Sequence, residues 1–190
     1  MLRKLLLLIC LFGVINVFAQ KNGDAPVKAT EKQGEPKIDY KQPGAPLPPL
    51  QILAYYDTAA QGAKKEEKKK YLTNSDFDNG ANLLVMMFNP TCSHCQDETE
   101  MLEKNIFYFK KSKLIMIANM VMVPYMPDFV KNFHIAEYPS FIIGFDATNF
   151  ISELFLYAAL PQLNIYDGDR KLIKTFSGEV SIDSLKGYIQ

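Results

Sequence analysis

The apolar and polar positions of this chain change period several times, and each change marks an element. Leu83 to Phe88 (LLVMMF) is one continuous apolar run, as expected of a strand covered on both faces. Beyond Cys95, Leu102, Ile106 and Phe109 recur at helical spacing and predict a helix with one buried stripe. Leu114 to Ala118 (LIMIA) predicts a second buried strand. Met126 to Ile135 carries Pro127 in a first-turn position and repeats Phe129, Val130 and Phe133, the pattern of a second helix. Leu50 to Tyr56 (LQILAYY) predicts an earlier strand, and Ser140 to Phe145 (SFIIGF) a short extended piece. Asn149 to Ala159 is apolar without a clean period and is compatible with a helix.

Gln162 to Tyr166 and Lys171 to Phe176 flank Asp167-Gly168, predicting two strands joined by a tight turn that uses the positive φ tolerated by Asp-Gly. Ser181 then caps a last helix whose Ile182, Leu185 and Ile189 face inward. Strand–helix–strand, a crossover helix, then strand–strand–helix describes a small α/β sandwich with a mixed sheet.

Two segments stand apart from this pattern. In residues 1–19, Arg3 and Lys4 precede the almost wholly apolar run Leu5 to Phe18, which is short for a membrane span. Val17 and Ala19 sit at −3 and −1 to a cleavage point before Gln20, so the segment reads as a secretory signal peptide. Left uncleaved, it would tether the protein to a membrane; once removed, no membrane span is expected. Residues 20–49 hold six of the eleven prolines, with Lys, Glu and Gly between them, and read as a flexible linker. The folded domain is then 50–190. Within it, GAKKEEKKK at 62–70 reads as a solvated loop or hairpin, its basic character diluted by Glu66 and Glu67.

A length of 190 residues suits one domain with accessory segments, and 48% hydrophobic content is enough for a core. Twenty-one basic residues balance twenty-one acidic ones, which gives no footing for a nucleic-acid partner or a membrane-surface binder. Of three cysteines, Cys10 lies in the leader. The other two, Cys92 and Cys95, share one motif, NPTCSHCQDE, in a protein read as exported to a compartment where disulfides persist.

Cys92 falls between a buried strand and an amphipathic helix, where free amides and the helix dipole favour a thiolate. Cys95 lies one turn further in and shares a face with Glu98 and Leu102, so it is the more buried thiol. An exposed attacking sulfur above a buried partner is what thiol–disulfide exchange needs. His94, between them, either tunes the Cys92 thiolate or is an exposed side chain without that role. Glu98 continues the apolar stripe, where desolvation raises a carboxyl toward neutrality and lets it exchange a proton with Cys95; the other reading turns it into solvent at the helix start. A permanent staple closing so short a loop removes little chain entropy. A closed zinc site lacks ligands, since only His94 and His134 accompany the thiols and there is no second CxxC. The redox reading is preferred, and neither metal nor cofactor is expected.

With these residues in view, the chain resembles the thioredoxin superfamily, and within it the exported TlpA-like thiol–disulfide oxidoreductases, including those associated with cytochrome c maturation. The resemblance rests on LLVMMFNPTCSHCQ, on the spacing Cys92-x-x-Cys95-x-x-Glu98, and on ALPQLNIYDGDRKLIKTFSG (159–178). It implies a thioredoxin-like three-layer sandwich, a mixed central sheet flanked by helices, with the TlpA-like insertion of a strand and a helix ahead of Pro161. It also implies that Pro161 is cis and lies opposite Cys92, with the Leu160 backbone free to pair with a substrate chain; Pro139 is the competing candidate.

The implied activity is disulfide exchange with partner proteins carrying disulfides or dithiols, with reduction of the partner preferred over oxidation. A membrane-embedded thiol reductant would be the electron donor and the periplasm the compartment. The alternative is a non-enzymatic thioredoxin-like module that binds a protein. Two departures stand out: Thr91 occupies the usual tryptophan position, and Met86 replaces a buried aspartate.

Overall fold

A computed structural model describes residues 38–56, 71–134, 137–156 and 159–189. The leader, residues 20–37 of the stretch read as a tether, and the charged run at 62–70 lie outside those residues. Seven strands form one sheet: β1 Ile52–Tyr56, β2 Tyr71–Leu72, β3 Leu83–Met87, β4 Lys113–Asn119, β5 Phe141–Asp146, β6 Gln162–Tyr166 and β7 Leu172–Ser177. Among the described residues four α-helices accompany them: α1 Ser93–Lys104, α2 Met126–Asn132, α3 Phe150–Phe155 and α4 Ile182–Leu185. The strand order is β2-β1-β5-β4-β3-β6-β7. β3, β4 and β5 run parallel, while β6 is antiparallel to β3 and β1 to β5. The sheet is therefore mixed, and β5 with α3 supplies the extra strand and helix expected before Pro161.

The continuous apolar runs become the central strands because each must fill both faces of the sheet. From β3, Leu84 and Met86 point to one side with Leu114, Met116, Ile143, Leu163 and Ile165. That side is closed by Leu102 of α1, Phe129 and Val130 of α2, and Leu185 of α4. The alternate residues Leu83, Val85 and Met87 point to the other side with Ile115, Ile117, Ile142 and Tyr166, beneath Ile151 and Phe155 of α3. Alternation along a pleated strand produces these two cores directly.

Three expectations are corrected. The helix read through Ile106 and Phe109 ends at Lys104; Ile106–Tyr108 tightens into a 3-10 turn, and only Phe109 of the two reaches the buried core. Asn105 closes α1, its side chain donating to the Met101 carbonyl at 2.8 Å. Such a tightened last turn satisfies carbonyls that would otherwise be left over.

In the β6–β7 hairpin the positive φ falls on Arg170, at 61°, and not on Gly168. The loop is longer than a two-residue turn: Arg170 N–H donates to the Asp167 carbonyl at 3.0 Å and Asp167 N–H to the Lys171 carbonyl at 2.9 Å. Gly168 is needed for close approach instead, because a Cβ there would lie 2.5 Å from the Gly80 carbonyl oxygen.

The boundary at residue 49 is also too late. Gly44 N–H donates to the Leu172 carbonyl, Leu172 N–H to the Ala45 carbonyl and Leu47 N–H to the Arg170 carbonyl, each at 2.8 Å. Ala45, Leu47 and Leu50 are buried. Prolines 43, 46, 48 and 49 lack amide hydrogens, yet an outer strand edge accepts such a segment when alternate residues make the bonds.

Candidate active site

Cys92 is the N-cap of α1, with φ −85° and ψ 122°, and its carbonyl accepts from Gln96 N–H at 3.0 Å. Asn89 shapes the approach: its side-chain oxygen accepts from both the Thr91 N–H and the Thr91 hydroxyl at 2.9 Å. Its carbonyl takes the Cys92 N–H at 3.1 Å. The Cys92 side chain is half-buried and Cys95 is fully buried; neither is in a disulfide. The sequence placed the two thiols in these relative positions from helical spacing alone.

The Cys95 thiol is pushed up to about 12, first by burial and further by the adjacent Cys92 and by Glu98, against an opposing bond from Asn89. That bond runs from the Asn89 N–H to the Cys95 sulfur at 3.5 Å. Glu98 is 2% exposed. Burial drives its carboxyl up to about 7, assisted by the negative charge of Glu179 and opposed by the bond from the Val180 amide. Val180 N–H donates to Oε2 at 2.8 Å, whereas Oε1 has no partner among the described residues. Glu98 therefore faces inward, as the stripe implied, and not into solvent.

His94 is two-thirds exposed, and its Nδ1 lies 2.5 Å from Glu179 Oε1. A carboxylate only accepts, so Nδ1 carries the hydrogen. Asp97 joins these two residues in an exposed cluster whose ligand-type atoms all lie within 4.8 Å of one another. His134, the other histidine, is elsewhere, 3.4 Å from Glu103.

The Leu160–Pro161 peptide bond is cis, and it is Pro161 and not Pro139 that takes this form. Met87 pairs with Gln162, so Pro161 enters the sheet beside the end of the strand that leads to Cys92. The Pro161 carbonyl accepts from Gly178 N–H at 2.8 Å, which ties this loop to the start of the segment bearing Glu179 and Val180. Leu160 lines a cleft of about 390 Å³ with Phe88, Asn89, Met122 and Leu156. Sequence reasoning missed Glu179, the Val180 amide and Asn89. The first two lie some eighty residues from Cys95 and carry no periodic signal; Asn89, the first residue of the motif, was visible as a turn-forming residue.

Neither a protein-family model nor a curated protein sequence matches the chain. Solved structures do match it in shape. StoA from Bacillus subtilis superposes with a TM-score of 0.53 at 14% identity, over 77% of this chain and 98% of that one. The thioredoxin domain of a thiol-disulfide oxidoreductase from Bacteroides vulgatus gives 0.56 at 16% identity, over 77% and 94%. A secreted Mycobacterium tuberculosis disulfide oxidoreductase homologous to Escherichia coli DsbE gives 0.52 at 19% identity, over 63% and 87%. These likenesses establish the fold. The chain is an α/β protein of thioredoxin-like architecture, with an inserted strand and helix. Among the described residues, no helix is long and apolar enough to cross a membrane.

Proposed function

We propose that this protein is a thiol–disulfide oxidoreductase acting on partner proteins through Cys92 and Cys95. One observation carries the reading: a half-exposed thiol caps α1 directly above a fully buried one, and an inward-facing acid near pKa 7 follows a turn later. In this reading the first group attacks, the second resolves and the third moves a proton. Two of the structures it resembles are those of disulfide oxidoreductases, and they support the same chemistry.

In the reducing direction the Cys92 thiolate attacks one sulfur of a partner's disulfide. A mixed disulfide forms, and the partner's other sulfur leaves as a thiolate that takes a proton from water. Cys95 must then lose its proton to attack Cys92. Two of the influences that hold its thiol near 12 come from Cys92 itself, and they weaken once Cys92 is bonded to the partner. Glu98 accepts the proton, Cys95 bonds to Cys92, and the partner's remaining sulfur is released. Two electrons pass from the dithiol to the partner, leaving the Cys92–Cys95 disulfide. A membrane-embedded thiol reductant would restore the dithiol, and the same steps reversed would oxidise a partner.

A partner chain would approach along the Leu160 backbone and the cleft beside it. Residues 1–19 would direct export, residues beyond them would tether the domain, and the periplasm is the compartment that fits. Cytochrome c maturation is a candidate process.

The test is substitution of each cysteine. Cys92→Ser is expected to lower insulin-disulfide reduction by about a hundred-fold or more, since it removes the nucleophile. Cys95→Ser should retain the first attack and accumulate mixed disulfides visible by mass spectrometry. A Cys92→Ser protein that still reduces insulin would remove Cys92 from the role of nucleophile, and one that keeps its full set of partners while neither form turns over would describe a binding module.

A further inference from the structure

We infer that Glu179, clasped by His94, is a positioning residue that sets the proton-holding state of Glu98. The inference rests on the redox reading above. Glu179 and Val180 are consecutive: the first bonds His94 at 2.5 Å and the second donates its amide to Glu98 at 2.8 Å. The same short segment thus grips the CxxC motif from outside and the buried acid from inside. His94 and Glu98 lie four residues apart on α1, so both grips fall on one face of one helix.

Burial alone does not tune Glu98. The titratable group acting on it is Glu179, from the segment between β7 and α4, and Glu98 in turn raises Cys95, one turn back on its own helix. His94 and Asp97 join Glu179 in the exposed cluster, and the sheet and α4 bring apolar side chains, Met86, Leu163 and Leu185, to the core around Val180. Glu179 acts in two opposite senses. Its charge favours the protonated carboxyl of Glu98, whereas its clasp on His94 holds the Val180 amide where it favours the carboxylate. Resolution needs Glu98 ionised before it can take the Cys95 proton, so the balance decides how fast Cys95 attacks at a given pH.

The two halves separate by substitution. Glu179→Gln removes the charge and leaves an amide that can still meet His94. His94→Ala leaves the charge and removes the clasp. Reaction with the aromatic disulfide 5,5′-dithiobis(2-nitrobenzoic acid) releases one thiol when Cys92 attacks and a second when Cys95 resolves, so stopped-flow absorbance reads both steps. EDTA keeps a divalent cation off His94, Asp97 and Glu179. For the second phase we expect a rise through about pH 7 in the parent protein, set by the Glu98 carboxyl.

In Glu179→Gln the midpoint should fall by roughly half a pH unit, making the second phase about threefold faster at pH 6. In His94→Ala it should rise by a similar amount. Carbon-13 NMR titration of the Glu98 carboxyl should show the same opposed shifts. Midpoints that stay together, or move in one direction in both variants, overturn the inference, because simple loosening of an exposed contact has one sign. A first phase as slow as an ordinary thiol would overturn the redox reading, while the NMR titration would still judge the clasp.

Discussion

Among the described residues two carboxyl groups are buried almost completely, on opposite faces of the sheet, and they are provided for in opposite ways. Asp146 ends β5 on the α3 side and is fully buried. It accepts from Ser152 N–H at 2.8 Å, the Ser152 hydroxyl at 3.1 Å, the Thr148 hydroxyl at 3.3 Å and Thr148 N–H at 3.4 Å. Glu98, on the inner face of α1, is 2% exposed and accepts from the Val180 amide only, leaving Oε1 without a partner among the described residues. A buried acid surrounded by donors is part of the scaffold, because removing it orphans them all. A buried acid with one donor costs the fold something in its ionised form, and such a group is available to exchange a proton.

The largest effect expected from this contrast is on Asp146. Asp146→Ala leaves two amides and two hydroxyls at the start of α3 without their acceptor. A loss of about 3 kcal/mol is expected, in line with breaking a buried, charge-assisted network from one side. Urea unfolding of Asp146→Ala at pH 7 measures it, and a loss below about 1 kcal/mol would mean that the two acids are not different in kind.

Glu98→Gln should behave in the opposite sense, and its effect should depend on pH. The folded carboxyl is raised to about 7 from an ordinary 4.5. Below about pH 4.5 folded and unfolded chains both hold the proton, and there is no penalty. As the pH climbs from there to 7, the unfolded chain releases the proton first, so stability falls. Above pH 7 the full cost, about 3 kcal/mol, is present and stays constant. The glutamine variant has no such slope. Its unfolding free energy should match that of the parent within about 1 kcal/mol at pH 5 and exceed it by about 2 kcal/mol at pH 8. A parent protein whose urea midpoint is flat between pH 5 and 8 would show that Glu98 is as well satisfied as Asp146.

How each acid could be read from the chain follows the same division. Glu98 was legible because a helix has a fixed period: Cys95, Glu98 and Leu102 fall on one face whatever the rest of the fold does. The central strands were legible for a similar reason, since LLVMMF and LIMIA have no polar side to expose. Asp146 falls just past the extended piece read at Ser140 to Phe145 and drew no reading, because its donors at Thr148 and Ser152 matter only once the intervening turn is formed. The hairpin loop misled for a related reason: Asp-Gly is a turn signal, but Arg170 adopts the left-handed conformation.

Arg170 is held there by its own side chain, whose guanidinium donates to the Ala81 carbonyl at 2.7 Å and the Asp167 carbonyl at 2.8 Å, and also reaches the Phe77 carbonyl. Long-range satisfaction of this kind outweighs a local steric preference of about 1 kcal/mol, and no window of sequence contains it. The His94–Glu179 pair was invisible for the same reason. Its members are 85 residues apart and meet only because β6 and β7 return the chain to the start of α1.

The smallest of the expected effects isolates one bond of the Asp146 network. Ser152→Ala removes a hydroxyl that donates to Asp146 at 3.1 Å and accepts from the Asn119 side chain at 3.2 Å, while the 2.8 Å backbone bond from residue 152 remains. Alanine also favours the helix slightly more than serine does, which offsets part of the loss. A net cost of about 1 kcal/mol is expected by urea unfolding. Its dependence on Asp146 is more informative than its size. In the Asp146→Ala background the serine hydroxyl has already lost its acceptor, so the second substitution should cost nearly nothing. Additive costs would place the contribution of Ser152 with Asn119 instead, and would reduce the Asp146 network from four working bonds to three.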